Sequence, residues 1–201
     1  MNLRPEVLAL TVAIAFIACV ANSAVKQMTI ETSEVKTIRE RIESSDEFQR
    51  AAARQKDSRL VFVGASKYAN TDVAAESAAI VEAVYYKYEG GITIRATTDS
   101  EGKLLKLEEL EAYPTPLTPE EQSEAVRLAN EKSEEVRAIS TAAQGELVVE
   151  ALAPVVADPA DPRYGHRLVL LTFYPRSSRA RSVLVEVDLT QGSVRRPTAN
   201  G

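Results

Sequence analysis

The stretch Val185–Arg196, VEVDLTQGSVRR, predicts a β-strand, a tight turn at Gln191-Gly192 and the start of a second strand. A stretch with the same order of features, IRATTDSEGKLLK, lies earlier in the chain at Ile94–Lys106. Each stretch contains an apolar-alternating run, an aspartate, a turn that includes a glycine, and a second run. The repetition indicates that one module is written twice in this chain.

The repeat extends over both halves of the sequence. Three pairs of residues recur at offsets of 86 to 89 positions: Leu60 and Leu147, Tyr88 and Tyr174, and Asp99 and Asp188. Each half also has the order helix, strand, loop, hairpin, strand, which favours two copies of one α+β unit. Chance similarity between two antiparallel meanders is the alternative, because Asp-x-x-Gly turns are common.

The helix of the second half has the clearest start signal in the chain. Thr118 is a preferred N-cap, Pro119 suits the first helical turn, and Glu121 completes a T-x-x-E capping box. Apolar residues then recur at helical spacing as far as Ile139. The first half carries a helix or helix pair between positions 32 and 53, where Ser44 and Glu47 form a second capping-box pattern.

Runs of β-type residues alternate with turn signals in both halves. Gly90-Gly91 interrupts two alternating runs and predicts a hairpin. We therefore predict an α+β fold of two tandem units, 32–113 and 114–201, each with a helix packed on an antiparallel sheet of about four strands. The prolines of YPTPLTP, 113–119, mark the junction, because they end a strand and begin a helix.

Residues 1–24 are predicted to be a signal peptide or a membrane anchor. A basic residue precedes a continuous apolar run, Val7–Ala21, that has no polar face. We expect this segment to form an isolated apolar helix, followed by an exposed linker at 25–31. The protein would then be exported to the cell envelope or outside the cell, either membrane-anchored or secreted. A core helix of a cytoplasmic protein is the alternative.

Cys19 is the single cysteine of the chain, so no intrachain disulfide can form. It ends the sequence FIAC, 16–19, which resembles a bacterial lipoprotein cleavage site and makes Cys19 a candidate for lipidation. Phe16 stands where such sites usually carry leucine. The alternative is that Cys19 is a small apolar residue within the run.

The composition excludes several classes of function. The chain is 45% hydrophobic and 26% charged, as in ordinary globular proteins, and its net charge of −5 gives no electrostatic reason to bind nucleic acid. The sequence contains no glycine-rich phosphate loop, nucleophile elbow or zinc-ligand spacing. His166 is the single histidine and is interpreted as a polar residue at the end of a strand. We therefore expect no catalytic residue, cofactor or metal ligand.

Three arginines are the candidate contact residues of the sequence. Arg176, Arg179 and Arg181 crowd the turn of the second predicted hairpin. They could bind an anion, a phospholipid headgroup or an acidic partner, because a hairpin tip projects several guanidinium groups together. The alternative is that their charge protects a strand edge against pairing.

Two other clusters are assigned structural roles. The acidic residues Glu120, Glu121 and Glu124 are expected to form a solvated helix N-terminus, stabilised by the helix dipole. On a strand, Tyr86 and Tyr88 share one face and Tyr85 occupies the other. Core packing is therefore the expected role of these tyrosines, with a ligand-binding face as the alternative.

The order PLTPEE, helix, ELVVEALAP, variable loop, RLVLLTFYP and SVLVEVDLTQGSVR resembles the small second and third N-terminal domains of copper amine oxidases. Cystatin-like and PepSY-like folds are looser matches. The resemblance covers about 32–196 and implies two tandem domains with a structural role. The family's catalytic part is missing, because the chain has no Asn-Tyr pair for the cofactor and one histidine where copper needs three. The chain alone therefore cannot oxidise amines.

These observations predict a non-enzymatic accessory or binding protein that is exported or membrane-tethered. We expect it to contact a membrane through its N-terminal segment and to bind a protein partner, with no role for nucleic acid. A secreted peptidase inhibitor of the cystatin-like type and an enzyme that uses an open sheet face are the alternatives. Exposed apolar patches or an unpaired strand edge would favour a partner, whereas a deep pocket of convergent polar groups would favour an enzyme.

Overall fold

The computed structural model describes residues 25–53, 59–70, 79–143 and 146–197. Over these ranges the protein is a mixed α+β structure with two antiparallel sheets and four α-helices. The predictions made for 1–24, namely the apolar helix and lipidation at Cys19, lie outside the described residues.

The first sheet contains five strands whose order in space is their order in the chain. They are β1 Val25–Met28, β2 Leu60–Asn70, β3 Ala79–Lys87, β4 Ile92–Asp99 and β5 Leu104–Glu111. Strand β1 was not predicted, because 25–31 was expected to be a linker. The backbone of β1 instead pairs antiparallel with β2, with Val25 opposite Asn70. A four-residue strand supplies partners to an edge of β2 that would otherwise be unpaired.

The hairpin between β3 and β4 confirms the turn predicted at Gly90-Gly91. Glu89–Gly91 form a single 3₁₀ turn in which Gly90 and Gly91 have φ angles of 76° and 64°. These angles lie in the left-handed region that residues with a Cβ rarely occupy. The glycine pair therefore fixes the position of the turn.

Helices α1, Thr32–Glu43, and α2, Asp46–Ala51, cover one face of the first sheet. Ser45 caps α2, with its Oγ accepting a hydrogen bond from the Phe48 N–H at 3.3 Å. The capping box predicted at Ser44 is therefore wrong by one residue, because Ser44 has a helical conformation at the end of α1. The core on this face contains Ile38, Ile42, Phe48, Ala51, Val81, Ala83, Tyr85, Ile94 and Ala96.

The second half consists of two helices and a four-stranded sheet. The helices are α3 Pro119–Lys132 and α4 Glu134–Ala142, and the strands are β6 Leu147–Leu152, β7 Leu168–Pro175, β8 Val183–Asp188 and β9 Ser193–Arg195. The strands are antiparallel and follow the chain order. Helix α3 packs on β7, β8 and β9, and helix α4 packs on β7 and β8.

The capping box predicted at the start of α3 is confirmed. Thr118 Oγ1 accepts a hydrogen bond from the Glu121 N–H, and Glu121 accepts one from the Thr118 N–H. The prediction of one continuous helix to Ile139 is wrong, because Ser133 has an extended conformation and ends α3. Its hydroxyl then caps α4 by accepting from the Val136 N–H at 3.3 Å.

One core joins the two halves of the protein. Tyr86 and Tyr88 lie on the face of the first sheet opposite α1 and α2, and they pack with residues of α3, α4 and the second sheet. Partners there include Leu128 and Phe173. Tyr85 belongs to the core on the other face, as the alternation of side chains along the strand predicted.

The backbones of the two halves also meet without intervening side chains. A Cβ atom placed on Gly91 would overlap the Cα and carbonyl atoms of Gly165, and one placed on Gly165 would lie 3.0 Å from the Gly90 carbonyl oxygen. Gly165 also has a positive φ of 77°. Three glycines therefore allow a close approach between the β3–β4 turn and the loop before β7.

Candidate binding surface

Strand β6 lies at an edge of the second sheet and has little cover. It pairs with β7 from Leu147 opposite Pro175 to Leu152 opposite Leu170. In the ranges that the structure describes, no strand pairs with its other side. Its last four residues are all exposed, and Leu152 retains 63% of its accessible surface. The backbone N–H and C=O groups along this side are therefore available to an added strand.

The helical layer ends at β7, which explains why β6 is exposed. Leu171 and Phe173 on β7 are fully buried beneath the helices. Ala151 and Val149 stand directly opposite them on β6 and face the same side, yet both are exposed. The sheet thus extends one strand beyond the helices that cover it.

Leucines form an apolar patch on the face of the second sheet that lies away from the helices. Leu152 is opposite Leu170 in the register, and Leu184 is opposite Thr172 on the same face. Leu184 is 46% exposed and Leu170 is partly buried between its neighbours. Grouped exposed leucines on a sheet face are typical of a surface that contacts another molecule.

The three arginines predicted as contact residues lie at the tip of the β7–β8 hairpin, but they have different surroundings. Arg179 donates to Glu150 Oε2 at 2.6 Å, and its guanidinium lies 5.2 Å from the centre of the Tyr174 ring. Arg176 and Arg181 are exposed, and their side chains form no ion pair within the described residues. Two of the three charges are therefore available to a partner.

A cavity of about 680 Å³ lies between the end of α4 and this hairpin tip. Its walls include Ile139 and Ala142 of α4, Pro175 of β7, and Arg181. Because Pro175 pairs with Leu147, the cavity adjoins the first residue of β6. The cavity, the free side of β6, the leucine patch and the hairpin tip together form what we call the β6 surface.

His166 is paired with an aspartate that the sequence reasoning did not connect to it. Its Nδ1 lies 2.7 Å from Asp188 Oδ2, beside a cleft of about 200 Å³ that Ser193 also lines. A carboxylate that orients an imidazole is part of many hydrolytic sites. Among the described residues, however, no hydrogen bond joins Ser193 to His166. The nucleophile contact that such a site requires is therefore missing in this geometry.

The expectation that Glu121 lies at a solvated helix N-terminus is wrong. Its side chain is 0% exposed, and it accepts hydrogen bonds from Arg167 Nε at 3.0 Å and Arg167 Nη2 at 2.9 Å. The Tyr88 hydroxyl also donates to it at 2.8 Å. Burial by itself would raise the pKa of Glu121, but the hydrogen bonds and charge of Arg167 outweigh it and lower this pKa. Glu120 is exposed, as expected.

Arg167 is the structurally important residue that the sequence reasoning missed. Its remaining N–H groups donate to the Thr115 hydroxyl and carbonyl and to the Pro116 carbonyl. Its guanidinium lies 4.5 Å from the centre of the Tyr86 ring. The sequence did contain a signal for the burial of Arg167. This charged residue directly precedes the apolar run LVLL, so its side chain is expected to be buried with that run and to need a partner.

The tyrosines belong to the cores, as expected. Tyr85, Tyr86 and Tyr88 are all buried. Burial raises the pKa of Tyr86 to about 12 and raises those of the other two further. They therefore do not line the open sheet face on which the enzymatic alternative depends.

Within the described parts of the chain, no helix has both the length and the apolar character to cross a bilayer. Among the same residues, no group of His, Cys, Asp and Glu side chains is arranged to hold a metal ion. Neither the models of protein families nor the curated proteins gave a match to this chain.

Proposed function

We propose that this protein is a non-enzymatic accessory protein, exported or membrane-tethered, that binds an extended segment of another protein by adding it as a strand to β6. The uncovered edge of β6 is the observation that carries the proposal. Strand addition uses backbone hydrogen bonds for affinity and side-chain contacts for selectivity. Strand β6 offers the free edge, and the leucine patch beside it offers the contacts.

The charges of the β6 surface favour an acidic partner segment. Arg176 and Arg181 carry unpaired positive charge at the hairpin tip, and Arg179 adds a third guanidinium that Glu150 already neutralises. A complementary segment would alternate apolar residues that reach Leu152 and Leu184, and would place a carboxylate near the arginines. The adjoining cavity has room for a large side chain of that segment.

Two further features support an accessory role. The halves have corresponding turns, in which Asp99 and Asp188 each accept two backbone N–H bonds through Oδ1, and Gly102 and Gly192 have positive φ angles. We infer that the halves are tandem copies of one unit, like the accessory domains of copper amine oxidases that the sequence resembles. The apolar run Val7–Ala21 supports placement outside the cytoplasm, with Cys19 as a lipid attachment point if the segment is cleaved there.

Site-specific photocrosslinking in the producing cells tests the proposal. A photoreactive residue replaces Leu152 on β6 in one variant and Leu105 on β5 in the control, because Leu105 is also a strand leucine and is 56% exposed. We expect a protein adduct from position 152 and none from position 105. The adduct partner, once identified and purified, should slow hydrogen exchange of the β6 amides while leaving the β5 amides unchanged.

Charge reversal gives an independent measurement. The double variant Arg176→Glu and Arg181→Glu should weaken binding of the purified partner about tenfold. Equal adducts from both positions, adducts with lipid alone or with a second copy of this chain, or unchanged β6 exchange would each contradict the proposal. A partner that is a peptidase and loses activity on binding would select the inhibitor alternative instead.

A further inference from the structure

A second candidate site lies in the first half of the protein, remote in sequence from β6. A cavity of about 250 Å³ opens between α1, α2 and the first sheet. Three aromatic rings line it, those of Phe48, Phe62 and Tyr85, and the partly exposed side chains of Arg39 and Glu43 complete its wall. The centre of the Tyr85 ring lies 4.6 Å from that of Phe48 and 5.3 Å from that of Phe62.

The hydroxyl group of Tyr85 has no partner. Tyr85 is 1% exposed, and its Oη is the one buried side-chain polar atom among the described residues that makes no hydrogen bond. A buried donor without an acceptor destabilises the folded state. Phenylalanine would pack against the same rings without that penalty. The packing of the core therefore does not account for this hydroxyl, in contrast to Tyr88, whose hydroxyl donates to Glu121.

The surroundings determine what could bind to the hydroxyl. Burial raises the pKa of Tyr85, so the phenol stays neutral and can donate a hydrogen bond. Arg39 Nε lies 2.6 Å from Glu43 Oε1, so the two charges beside the cavity neutralise each other. The missing partner is thus an uncharged hydrogen-bond acceptor on a molecule that fits between aromatic rings.

We propose that this cavity binds a small neutral aromatic molecule whose carbonyl oxygen accepts a hydrogen bond from Tyr85 Oη. Arg39 is part of the cavity wall, with its guanidinium 5.0 Å from the centre of the Phe62 ring. Its pair with Glu43 spans one helical turn at the surface, and such pairs hold their side chains weakly. The hydroxyl is closed to solvent in the present conformation, so a ligand has to displace wall side chains, among them Arg39, to reach it.

Two probe molecules and one substitution test the hydrogen bond. Acetophenone carries a carbonyl next to a benzene ring, and ethylbenzene has a similar shape without the oxygen. Binding of both to the full chain and to Tyr85→Phe is measured by saturation-transfer NMR on identical preparations. We expect acetophenone to bind the unsubstituted protein about five to ten times more tightly than Tyr85→Phe. Ethylbenzene should bind both proteins alike.

Cavity-filling variants show where the probes bind. Ala52 lines this cavity, and Ala142 lines the larger cavity beside β6. Ala52→Leu should abolish binding of both probes, whereas the control Ala142→Leu should leave it unchanged. This test is independent of the β6 proposal, because the binding of a partner at β6 does not determine whether the probes bind in this cavity.

The stability of Tyr85→Phe without any probe gives a second readout. If the hydroxyl lacks a partner, its removal should leave the free energy of unfolding unchanged or raise it. A large loss of stability in Tyr85→Phe would mean that an ordered water is the partner, and it would overturn the proposal. Equal affinity of acetophenone for both proteins, or no binding to the unsubstituted protein, would overturn it as well.

Discussion

Replacing Arg167 with methionine should destabilise this protein strongly, because the carboxylate of Glu121 would remain buried without its charged partner. The guanidinium makes five hydrogen bonds, which use all the N–H donors that an arginine has. It also lies 4.5 Å from the centre of the Tyr86 ring. Methionine keeps much of the side-chain volume but replaces none of these interactions.

The expected magnitude follows from the burial of the pair. Removing one partner of a buried ion pair costs about 3–5 kcal/mol, and a domain of this kind has a total stability of about 5–15 kcal/mol. Arg167→Met should therefore remove about a fifth of the free energy of unfolding or more. The double variant Arg167→Met and Glu121→Gln should lose less unfolding free energy than the sum of the losses in the two single variants. We expect the difference to be at least about 2 kcal/mol. Glutamine keeps the capping-box bond at Thr118 and leaves no charge behind.

Acidification gives a directional check on this reasoning. The pKa of Glu121 is lowered in the folded protein, so its contribution to stability is present above about pH 4.5 and is lost as the pH falls below that value. In Arg167→Met, burial acts without the arginine and raises the same pKa, so protonation of Glu121 stabilises that variant. The difference in stability between the two proteins should therefore shrink between pH 7 and pH 4.

Urea unfolding of the full chain, followed by far-ultraviolet circular dichroism and tyrosine fluorescence, measures these differences. The matched control is Arg127→Met, which breaks an exposed pair with Glu131 on α3 and should change the unfolding free energy very little. The reasoning is refuted if Arg167→Met stays within about 1 kcal/mol of the unsubstituted protein at pH 7. It is equally refuted if the difference grows on acidification.

Three further predictions concern stability. Gly91→Ala should lower the melting temperature more than Gly192→Ala, although both glycines have φ of 64°, because only Gly91 contacts the backbone of Gly165; equal shifts would contradict this. Thr118→Ala should cost about 1 kcal/mol in urea unfolding through loss of the N-cap, and no change would mean that the capping box contributes nothing. When absorbance at 295 nm is titrated against pH, Tyr86→Phe should lack a step near pH 12 that the unsubstituted protein shows. The pKa of Tyr86 is higher in the folded protein than in the unfolded chain, so ionisation of this phenol opposes folding. The free energy of unfolding should therefore fall as the pH rises above 10.

Local chemistry made the helix starts and turns predictable from the sequence. Thr118 and Glu121 form a capping box within four residues, and Gly90-Gly91 supplies the positive φ angles of a turn. The break at Ser133 was not predicted, because apolar residues continue at helical spacing on both sides of it. Ser133 alone separates α3 from α4, because its backbone is extended and its hydroxyl caps α4.

Contacts between distant parts of the chain account for the rest. The burial of Glu121 depends on Arg167, 46 residues away, and no local pattern encodes that pairing. A run such as ELVVEA predicts a strand, but it cannot show that the helices stop at β7 and leave β6 uncovered. The unpartnered hydroxyl of Tyr85 likewise depends on what surrounds it in space.

The core shared by Tyr86, Tyr88 and Phe173 determines the order in which a newly made chain can finish folding. About 85 residues separate Tyr88 from Phe173, and at about 5–20 residues per second a ribosome needs roughly 4–17 s to add them. During that interval α1 and α2 can already cover their face of the first sheet. The opposite face, which carries both tyrosines, stays exposed to water or bound to a chaperone until the second sheet has been synthesised.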